Sequence, residues 1–423
     1  MMKTLAQKII SDASSTPSAK IGDVVVCAVD LAMLHDSGGP RRVKPILERL
    51  GRSVWDKDRV VVVTDHYVPV ESDETKAIQD LTRAWVADQE IENFYDQQGI
   101  CHVVLPERGH LKPGMFCVGG DSHSPTGGAF GAYMFGIGAT EMAGVLATGE
   151  IWIKLPETIF IEWSGHLMAG VTAKDMMLAT CGKIGMGGGR YQAIQYAGEA
   201  IKILNMQDRM TMSNMAAELG GQAGLIAPDE TTIDYLASIG ADIPDNWQDY
   251  QIETPDPDGV VINFDASKLP PQIAAPHSPE NADDVAAFKN TAFDVAYIGA
   301  CTGAKYTDLK AAASVLANKK ISSGITLKVA PASLRDQTRA EDEGIMQILQ
   351  DAGAEFLPNS CGICAGYGRD RLLEDQVCLS STARNFKGRM GASSSRVYLA
   401  SPYTVAASAI TGTMTDPRDV MEV

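Results

Sequence analysis

Short runs of β-branched and other apolar residues alternate along this chain with longer segments that have helical periodicity. Strand-like runs include DRVVVVTDH at 58–66, AFDVAYIGACTG at 292–303, GITLKVAPAS at 324–333 and RVYLASP at 396–402, and TDLKAAASVLANK at 307–319 is helix-like. This alternation is typical of proteins in which helices cover mainly parallel sheets. The pattern therefore predicts an α/β fold.

The residues that follow these runs are the first candidates for chemistry, because ligands bind at the carboxyl ends of the strands in an open α/β sheet. One run ends at Asp65 and His66, and a second ends just before Cys301. A third run, AEFLPN at 354–359, ends just before Cys361.

The length of 423 residues predicts two or three domains. A stretch rich in proline and aspartate at 253–284 is typical of a linker or an extended crossing segment. A weaker boundary follows GEIWIKLP, near residue 156. We therefore divide the chain into predicted domains at 1–156, 157–285 and 286–423.

The formal net charge of −17 disfavours the classes of protein that bind nucleic acid or anionic membranes, since both surfaces would repel the chain. No apolar run reaches the roughly 18 residues that span a bilayer, and the apolar start is too short for a signal peptide. We expect a soluble, cytoplasmic protein. Its eight cysteines are then expected to be reduced or bound to metal rather than paired in disulfides.

The segment NSCGICAGYG at 359–368 places Cys361 and Cys364 three positions apart in a glycine-rich turn. A thioredoxin-like pair would lie earlier in a small domain, and a structural zinc site would need a second closely spaced pair. With Cys301, three thiolates could hold one iron–sulfur cluster and leave one metal corner open to substrate. Spacing alone leaves the redox, zinc and cluster interpretations open.

A second motif, GGDSHSPTGGAFGAYMFGIGATEMAGVLATGE at 119–150, places Asp121, Ser122 and His123 side by side before a glycine-rich helix start. The glycines fit neither the dinucleotide-binding pattern nor the phosphate-binding loop, so a nucleotide site is not expected. The structural alternative is a strand-to-helix turn whose glycines serve close packing.

Taken together, these motifs resemble the aconitase superfamily, in particular the large subunits of isopropylmalate isomerase and homoaconitase. The resemblance rests on GDSHSPTGGAFGAYMFGIGATE, the three cysteines and STARNFKGRMG at 381–391. It extends from DLAMLHDSGGP at 30–40 to SPYTVAASAITG at 401–412, nearly the whole chain. It implies three α/β/α sandwich domains of aconitase type, with the cofactor at their interface.

The resemblance also implies a [4Fe-4S] cluster held by Cys301, Cys361 and Cys364. Its unliganded iron would bind the hydroxyl and a carboxylate of a substituted malate, which makes the chain a hydro-lyase. Coordination of this kind stabilises the charge that hydroxide develops as it leaves.

Other site residues are implied by the same resemblance. The histidine–carboxylate groupings that would move protons are Asp65 with His66, His102, and Asp121 with His123. The implied substrate-binding residues are Ser122, Arg384 and Arg389. Forked arginine donors suit a dicarboxylate better than lysine does. Four histidines without a comparable partner are expected to be structural or on the surface: His35, His110, His166 and His277.

In the family, the serine base that removes the carbon-bound proton lies on a separate swivelling domain together with another arginine. This chain ends at TDPRDVMEV, directly after the predicted third domain. We therefore expect the swivel domain to be absent and a small subunit to supply it as a second polypeptide.

Three positions depart from the family pattern. Asparagine is usual at Gly303 and Ala383, and glutamate at Gln195, so hydrogen bonding around the cluster should differ. Isomerisation of 3-isopropylmalate is the first expectation, and hydration of dimethylmaleate to 2,3-dimethylmalate, or action on another substituted malate, is the alternative. An iron-sensing, RNA-binding relative is disfavoured by the negative charge, and a zinc protein is the remaining alternative.

Overall fold

A computed structural model of the chain describes residues 4–16 and 18–421. The strands of the described residues are β1 (Val24–Ala28), β2 (Leu31–His35), β3 (Val60–Thr64), β4 (Phe94–Asp96), β5 (Phe116–Gly119), β6 (Tyr133–Gly136), β7 (Glu150–Lys154), β8 (Thr158–Ser164), β9 (Ala193–Ala197), β10 (Ala223–Ile226), β11 (Val261–Asp265), β12 (Gln272–Ala274), β13 (Ala282–Asp284), β14 (Val295–Ile298), β15 (Thr326–Val329), β16 (Glu355–Phe356), β17 (Val377–Ser380) and β18 (Arg396–Ala400).

The α-helices of the same residues are α1 (Leu5–Ala13), α2 (Pro40–Leu50), α3 (Asp73–Asp88), α4 (Cys101–Glu107), α5 (Ala139–Thr148), α6 (Ala173–Ile184), α7 (Glu199–Lys202), α8 (Met206–Asn214), α9 (Glu230–Ser238), α10 (Tyr306–Leu316), α11 (Leu334–Asp342), α12 (Ile345–Ala352) and α13 (Pro402–Thr411). Three short 3-10 helices bear on the site: Ser124–Phe130, Met215–Leu219 and Gly362–Ala365. None of the described helices is long and apolar enough to cross a membrane.

The strands form three large sheets. The first has the order β4-β3-β2-β5-β6, and the second has the order β10-β9-β8-β11, with every pair parallel. The third has the order β13-β12-β18-β17-β14-β15-β16, in which β12 pairs antiparallel with both β13 and β18 and the remaining pairs are parallel. The predicted α/β fold with mainly parallel sheets is therefore confirmed.

A separate two-stranded antiparallel ribbon joins β1 to β7. The proline-rich stretch at 253–284 carries β11 into the second sheet and β12 and β13 into the third. It thus crosses from one sheet to the next, and the domain boundaries near residues 156 and 285 stay a prediction.

The interior strands are apolar because parallel strands are covered on both faces. All five residues of β2 and of β3 are buried. One apolar cluster packs Met33 of β2 and Val61 of β3 against Met210 of α8, together with Cys301 and Ala332. The carboxyl ends of strands from different sheets are thereby held close to one another.

The contact between the 3-10 helix Ser124–Phe130 and strand β10 joins the first sheet to the second. It requires a glycine, because a Cβ added to Gly128 would lie 1.8 Å from the carbonyl oxygen of Gly224. No side chain fits there unless the backbones separate.

We predict that Gly128→Ala lowers the free energy of unfolding by about 1–3 kcal/mol or more, because it overpacks this contact. Gly144→Ala is the matched control: it lies in α5 with no atom within 4 Å of its added Cβ. Ala favours helices, so this control should be neutral or stabilising by up to about 1 kcal/mol. Urea denaturation of both variants measures the difference, and equal stability of the two would contradict the prediction.

Candidate active site

Asp65 and His66 follow β3 directly, as the sequence pattern predicted, and they form a buried ion pair. The Oδ1 atom of Asp65 lies 2.6 Å from Nδ1 of His66. The other carboxylate oxygen accepts from the backbone N–H of Cys101, the first residue of α4, at 2.7 Å. Burial alone would raise the pKa of Asp65, but the charge and hydrogen bond of His66 lower it. Burial alone would lower the pKa of His66, but the charge and hydrogen bond of Asp65 raise it above its usual value.

Asp121 follows β5 and lies at the centre of the site. Its Oδ1 atom lies 2.7 Å from Nε2 of His102 and accepts from the backbone N–H of His123 at 2.8 Å. Its Oδ2 atom lies 3.9 Å from Nε2 of both His66 and His35. Burial by itself would raise the pKa of this carboxyl, but the surrounding histidines, His102 above all, hold it well below its usual range.

His35 was expected to be structural or at the surface, and this expectation is wrong. It is the last residue of β2, and its ring stacks on that of His66 with centroids 4.1 Å apart. Its Nε2 atom lies 3.0 Å from the carbonyl oxygen of Gly120. Burial lowers the pKa of His35, as does the charge of His66. The strand-end rule would have found it, since β2 lies between β3 and β5.

Glu218 also belongs to the site, although its sequence context does not single it out. It lies in the 3-10 helix Met215–Leu219, and its Oε1 atom lies 3.1 Å from Nε2 of His123. The same oxygen accepts from Nε of Arg384 at 2.7 Å. Burial alone would raise the pKa of Glu218, but His123 and Arg384 lower it. A lone glutamate in an apolar helical segment gives no local signal of this role.

Arg384 and Arg389 lie on the loop after β17. The Nη1 atom of Arg384 donates to the hydroxyl of Ser122 at 2.8 Å, so two of the three predicted substrate-binding residues are in contact. Nε of Arg389 is buried without a hydrogen-bond partner among the described residues. Burial raises the pKa of the Cys364 thiol, whereas Arg389 and Arg384 lower it.

The three cysteines converge from the third sheet. Cys301 follows β14, and Nδ2 of Asn214 donates to its sulfur at 3.2 Å. Cys361 and Cys364 lie at and inside the 3-10 helix Gly362–Ala365, and the Cys361 sulfur lies 3.9 Å from Oδ2 of Asp65. The backbone N–H of Cys361 donates to the carbonyl of Asp65 at 2.8 Å.

The thiols lie close enough to affect one another's ionisation. Burial raises the pKa of Cys301, and the neighbouring Cys364 raises it further. Burial and Asp65 raise the pKa of Cys361, with additional rises from Cys301 and Cys364. All eight cysteines of the chain are free. Three mutually repelling thiolates are stable together only around a cation, so this donor set fits a metal cluster.

A cavity of about 390 Å³ opens beside these residues. Its walls include Asp121, Ser122 and Arg384 from the site, and Tyr191 and Gln222 from the second sheet. The cavity therefore gives a small acidic molecule access to the arginine and to the histidine–carboxylate groups.

The three departures from the family pattern have different surroundings. A Cβ on Gly303 would lie 2.2 Å from Oγ of Ser381, so a larger residue does not fit this backbone. Ala383 is buried in the apolar core beside the arginine loop. Gln195 lies inside β9 and donates to the carbonyl of Ile252 at 2.5 Å. Its expected effect on hydrogen bonding around the cluster stays a prediction.

This chain is similar to several known proteins. A family model described as "Aconitase family (aconitate hydratase)" matches residues 7–293 and 283–412. The 3-isopropylmalate dehydratase large subunit 1 of Methanopyrus kandleri is 44% identical over 422 residues, 99% of each chain. A probable methanogen homoaconitase large subunit of Methanosarcina mazei is 41% identical, over 93% of this chain and 99% of that one.

Among solved structures, aconitase X of Thermococcus kodakaraensis in its holo-form has a TM-score of 0.49 at 13% identity, covering 85% of this chain and 84% of that one. This likeness is too weak to support a conclusion. The family model covers most of the chain, and relatives above 40% identity cover nearly all of it. The chain belongs to the aconitase family.

Proposed function

We propose that this chain is the large subunit of a cytoplasmic hydro-lyase that removes water from a substituted malate and adds it back. The observation that carries the proposal is that Cys301, Cys361 and Cys364 lie beside a network of histidines, carboxylates and Arg384, of which Asp121, Ser122 and Arg384 line one cavity. The names of the relatives support it, since they describe dehydratase and homoaconitase large subunits.

Members of the aconitase family generally use an iron–sulfur cluster. In this chain Cys301, Cys361 and Cys364 would hold it as a [4Fe-4S] cluster, and the donor amide of Asn214 beside Cys301 would stabilise thiolate charge. The bound cluster supplies a Lewis acid for the hydroxyl group of the substrate.

The arginines would hold the carboxylates of the substrate. Arg384 is fixed before any ligand binds, because Glu218 and Ser122 each accept one of its N–H groups. Its remaining donors form a rigid fork that matches a carboxylate. Arg389 adds a second positive charge beside Cys364.

The histidine–carboxylate groups would deliver the proton that the leaving hydroxide needs. Because Nδ1 of His66 is bound to Asp65, its exchangeable proton toward the cavity is at Nε2, which lies 3.9 Å from Asp121. His102 reaches the opposite oxygen of Asp121 through its own Nε2. A carboxylate shared by several rings can orient them and favour their protonated forms.

A separate small subunit would supply the base that removes the carbon-bound proton. The relatives are named large subunits, which supports the division of the site between two polypeptides. The substrate is proposed to be 3-isopropylmalate, following the M. kandleri relative. The departures at Gly303 and Ala383 favour 2,3-dimethylmalate as the second candidate.

The experiment that tests the proposal is a substrate panel. The chain, purified without oxygen and mixed with the small subunit of its source organism, should convert 3-isopropylmalate to an unsaturated diacid, detected by ultraviolet absorbance. Preference for 2,3-dimethylmalate would favour the second candidate. Absence of turnover on every substituted malate would contradict the function.

The chain alone should show no measurable turnover, because the proposed base belongs to the partner. Titration of the small subunit into a fixed amount of the chain should restore activity with saturation. Substantial activity of the purified chain by itself would refute the division of the site.

Replacement of any one cluster cysteine, for example Cys361→Ser, should remove iron and turnover together. Loss of a ligand lowers metal occupancy by at least about tenfold. Cys378→Ala, a buried free thiol on β17, is the matched control and should retain iron. Iron and visible absorbance are measured on oxygen-protected protein, and a colourless zinc protein would exclude the cluster.

Arg384→Lys should raise KM for the substrate, since lysine cannot keep both its internal contacts and a forked contact with carboxylate. Loss of a charged hydrogen bond costs about 1.5–3 kcal/mol, equivalent to a rise of roughly 10- to 150-fold. Arg396→Lys, at the exposed start of β18, should leave KM unchanged. Steady-state kinetics of both variants check the prediction, which fails if they behave alike.

A further inference from the structure

The outer face of the β1–β7 ribbon carries large apolar side chains that contact solvent. Val24 is 65% exposed, Val26 is 47% exposed and Trp152 is 66% exposed. Of the alternate residues, Val25, Cys27 and Ile153 are buried and Ile151 is partly buried. The outward face of an antiparallel pair is normally polar, so an apolar outer face needs an explanation.

These side chains form one continuous patch because of the strand register. Val26 is directly opposite Trp152, and Val24 is opposite Lys154. Facing pairs in an antiparallel ribbon lie about 5 Å apart between Cβ atoms. Ile21, also exposed, lines a groove together with Trp152. The ribbon therefore presents an apolar ridge with a groove beside it.

The groove leads to the candidate active site. It has a volume of about 570 Å³, and three of its lining residues, Ile137, Tyr191 and Gln222, also line the active-site cavity. The side chain of Tyr191 is 61% exposed where the two cavities meet. A molecule seated on the ribbon would thus reach the mouth of the site without crossing other parts of the chain.

The backbone at this junction is strained. Arg190 and Tyr191 have φ angles of 48° and 58°, which place two consecutive residues with side chains in the left-handed region. Such residues cost of order 1–3 kcal/mol each and concentrate at functional sites. Tyr191, one of these two residues, lines both the groove and the active-site cavity.

We propose that the outer face of the ribbon, with this groove, is the docking surface of the small subunit. The inference rests on the proposed function, because that polypeptide must bring its base to the cavity that the groove joins. Aromatic residues at the centre and charges at the rim are typical of specific protein interfaces. Here Trp152 and Tyr191 supply the aromatic side chains, and the charged residues Lys154, Arg190 and Glu157 line the same groove.

The partner that fits this surface is a folded chain with an apolar patch of its own, edged by both acidic and basic groups. The groove lining includes charges of both signs, so a polyanion or a uniformly basic surface would meet repulsion on one side. A second copy of this chain would cover the ridge without supplying the missing base.

The test is a titration of the purified small subunit of the source organism into the oxygen-protected chain. Trp152→Glu should raise the Kd tenfold or more, because a carboxylate would be buried in an apolar contact. The small-subunit concentration for half-maximal turnover should rise by the same factor. Turnover at saturating small subunit should stay at the wild-type level, since Trp152 touches no proposed catalytic group.

Two further variants support the interpretation of this titration. Val24→Lys is a second change on the same face and should weaken binding in the same way if Trp152→Glu does not fold. Leu373→Glu is the matched control, because Leu373 is likewise 66% exposed but lies on the loop before β17. It should leave the Kd unchanged. Circular dichroism establishes that each variant is folded.

Wild-type affinity in both folded ribbon variants would overturn the docking surface. So would a wild-type chain that sediments as a dimer and is dissociated by Trp152→Glu while it still binds the small subunit normally. A different result would show that the proposed function, rather than the docking surface, is wrong. The ribbon variants would then weaken binding as expected, but the wild-type complex would turn over no substituted malate.

Discussion

The site depends on one carboxylate, that of Asp121, which lies among histidine rings from several elements and at the wall of the cavity. Because these surroundings remove much of the water around its charge, its oxygens need hydrogen-bond partners within the protein. His102 on α4 and the backbone of His123 satisfy one oxygen, and the rings of His35 and His66 face the other. Loss of any one ring would leave the charge of Asp121 less compensated. The geometry of the first sheet therefore affects the chemistry of the cavity.

A second buried charge connects the arginine loop to the rest of the protein. The ammonium group of Lys174 on α6 donates to the carbonyls of Ser381 and Thr382 at 3.1 Å and 2.5 Å. Burial lowers the pKa of Lys174 to about 8. Because these carbonyls come just before Arg384, the position of the arginine depends on α6, the helix that carries Lys174. Glu218 accepts a hydrogen bond from the guanidinium group of Arg384. Both the backbone of the loop and this arginine side chain are therefore held in place.

The sequence predicts the parts of this arrangement that have a local pattern. Apolar runs located β3 and β14, and their ends pointed to Asp65, His66 and Cys301. It did not single out His35 or Glu218, whose partners Asp121 and His123 lie far along the chain. Such contacts depend on the order of strands in a sheet and on the packing between sheets. Periodicity reports whether a residue is buried, but it does not report what it is buried against.

Near Gly303, the hydroxyl of Ser381 makes the hydrogen bonds, and the backbone there is closely packed. The hydroxyl of Ser381 occupies the space that a side chain at 303 would need, and it bonds both the N–H and the carbonyl of Gly299. The backbone before Cys301 thus stays bonded without an amide side chain at 303. Ala383 offers no polar atom to replace an amide. The wall formed by Tyr191 and Gln222 is shared by the active-site cavity and the groove. If the proposed function and docking surface hold, discrimination among substituted malates would depend on that wall and on the small subunit that closes it.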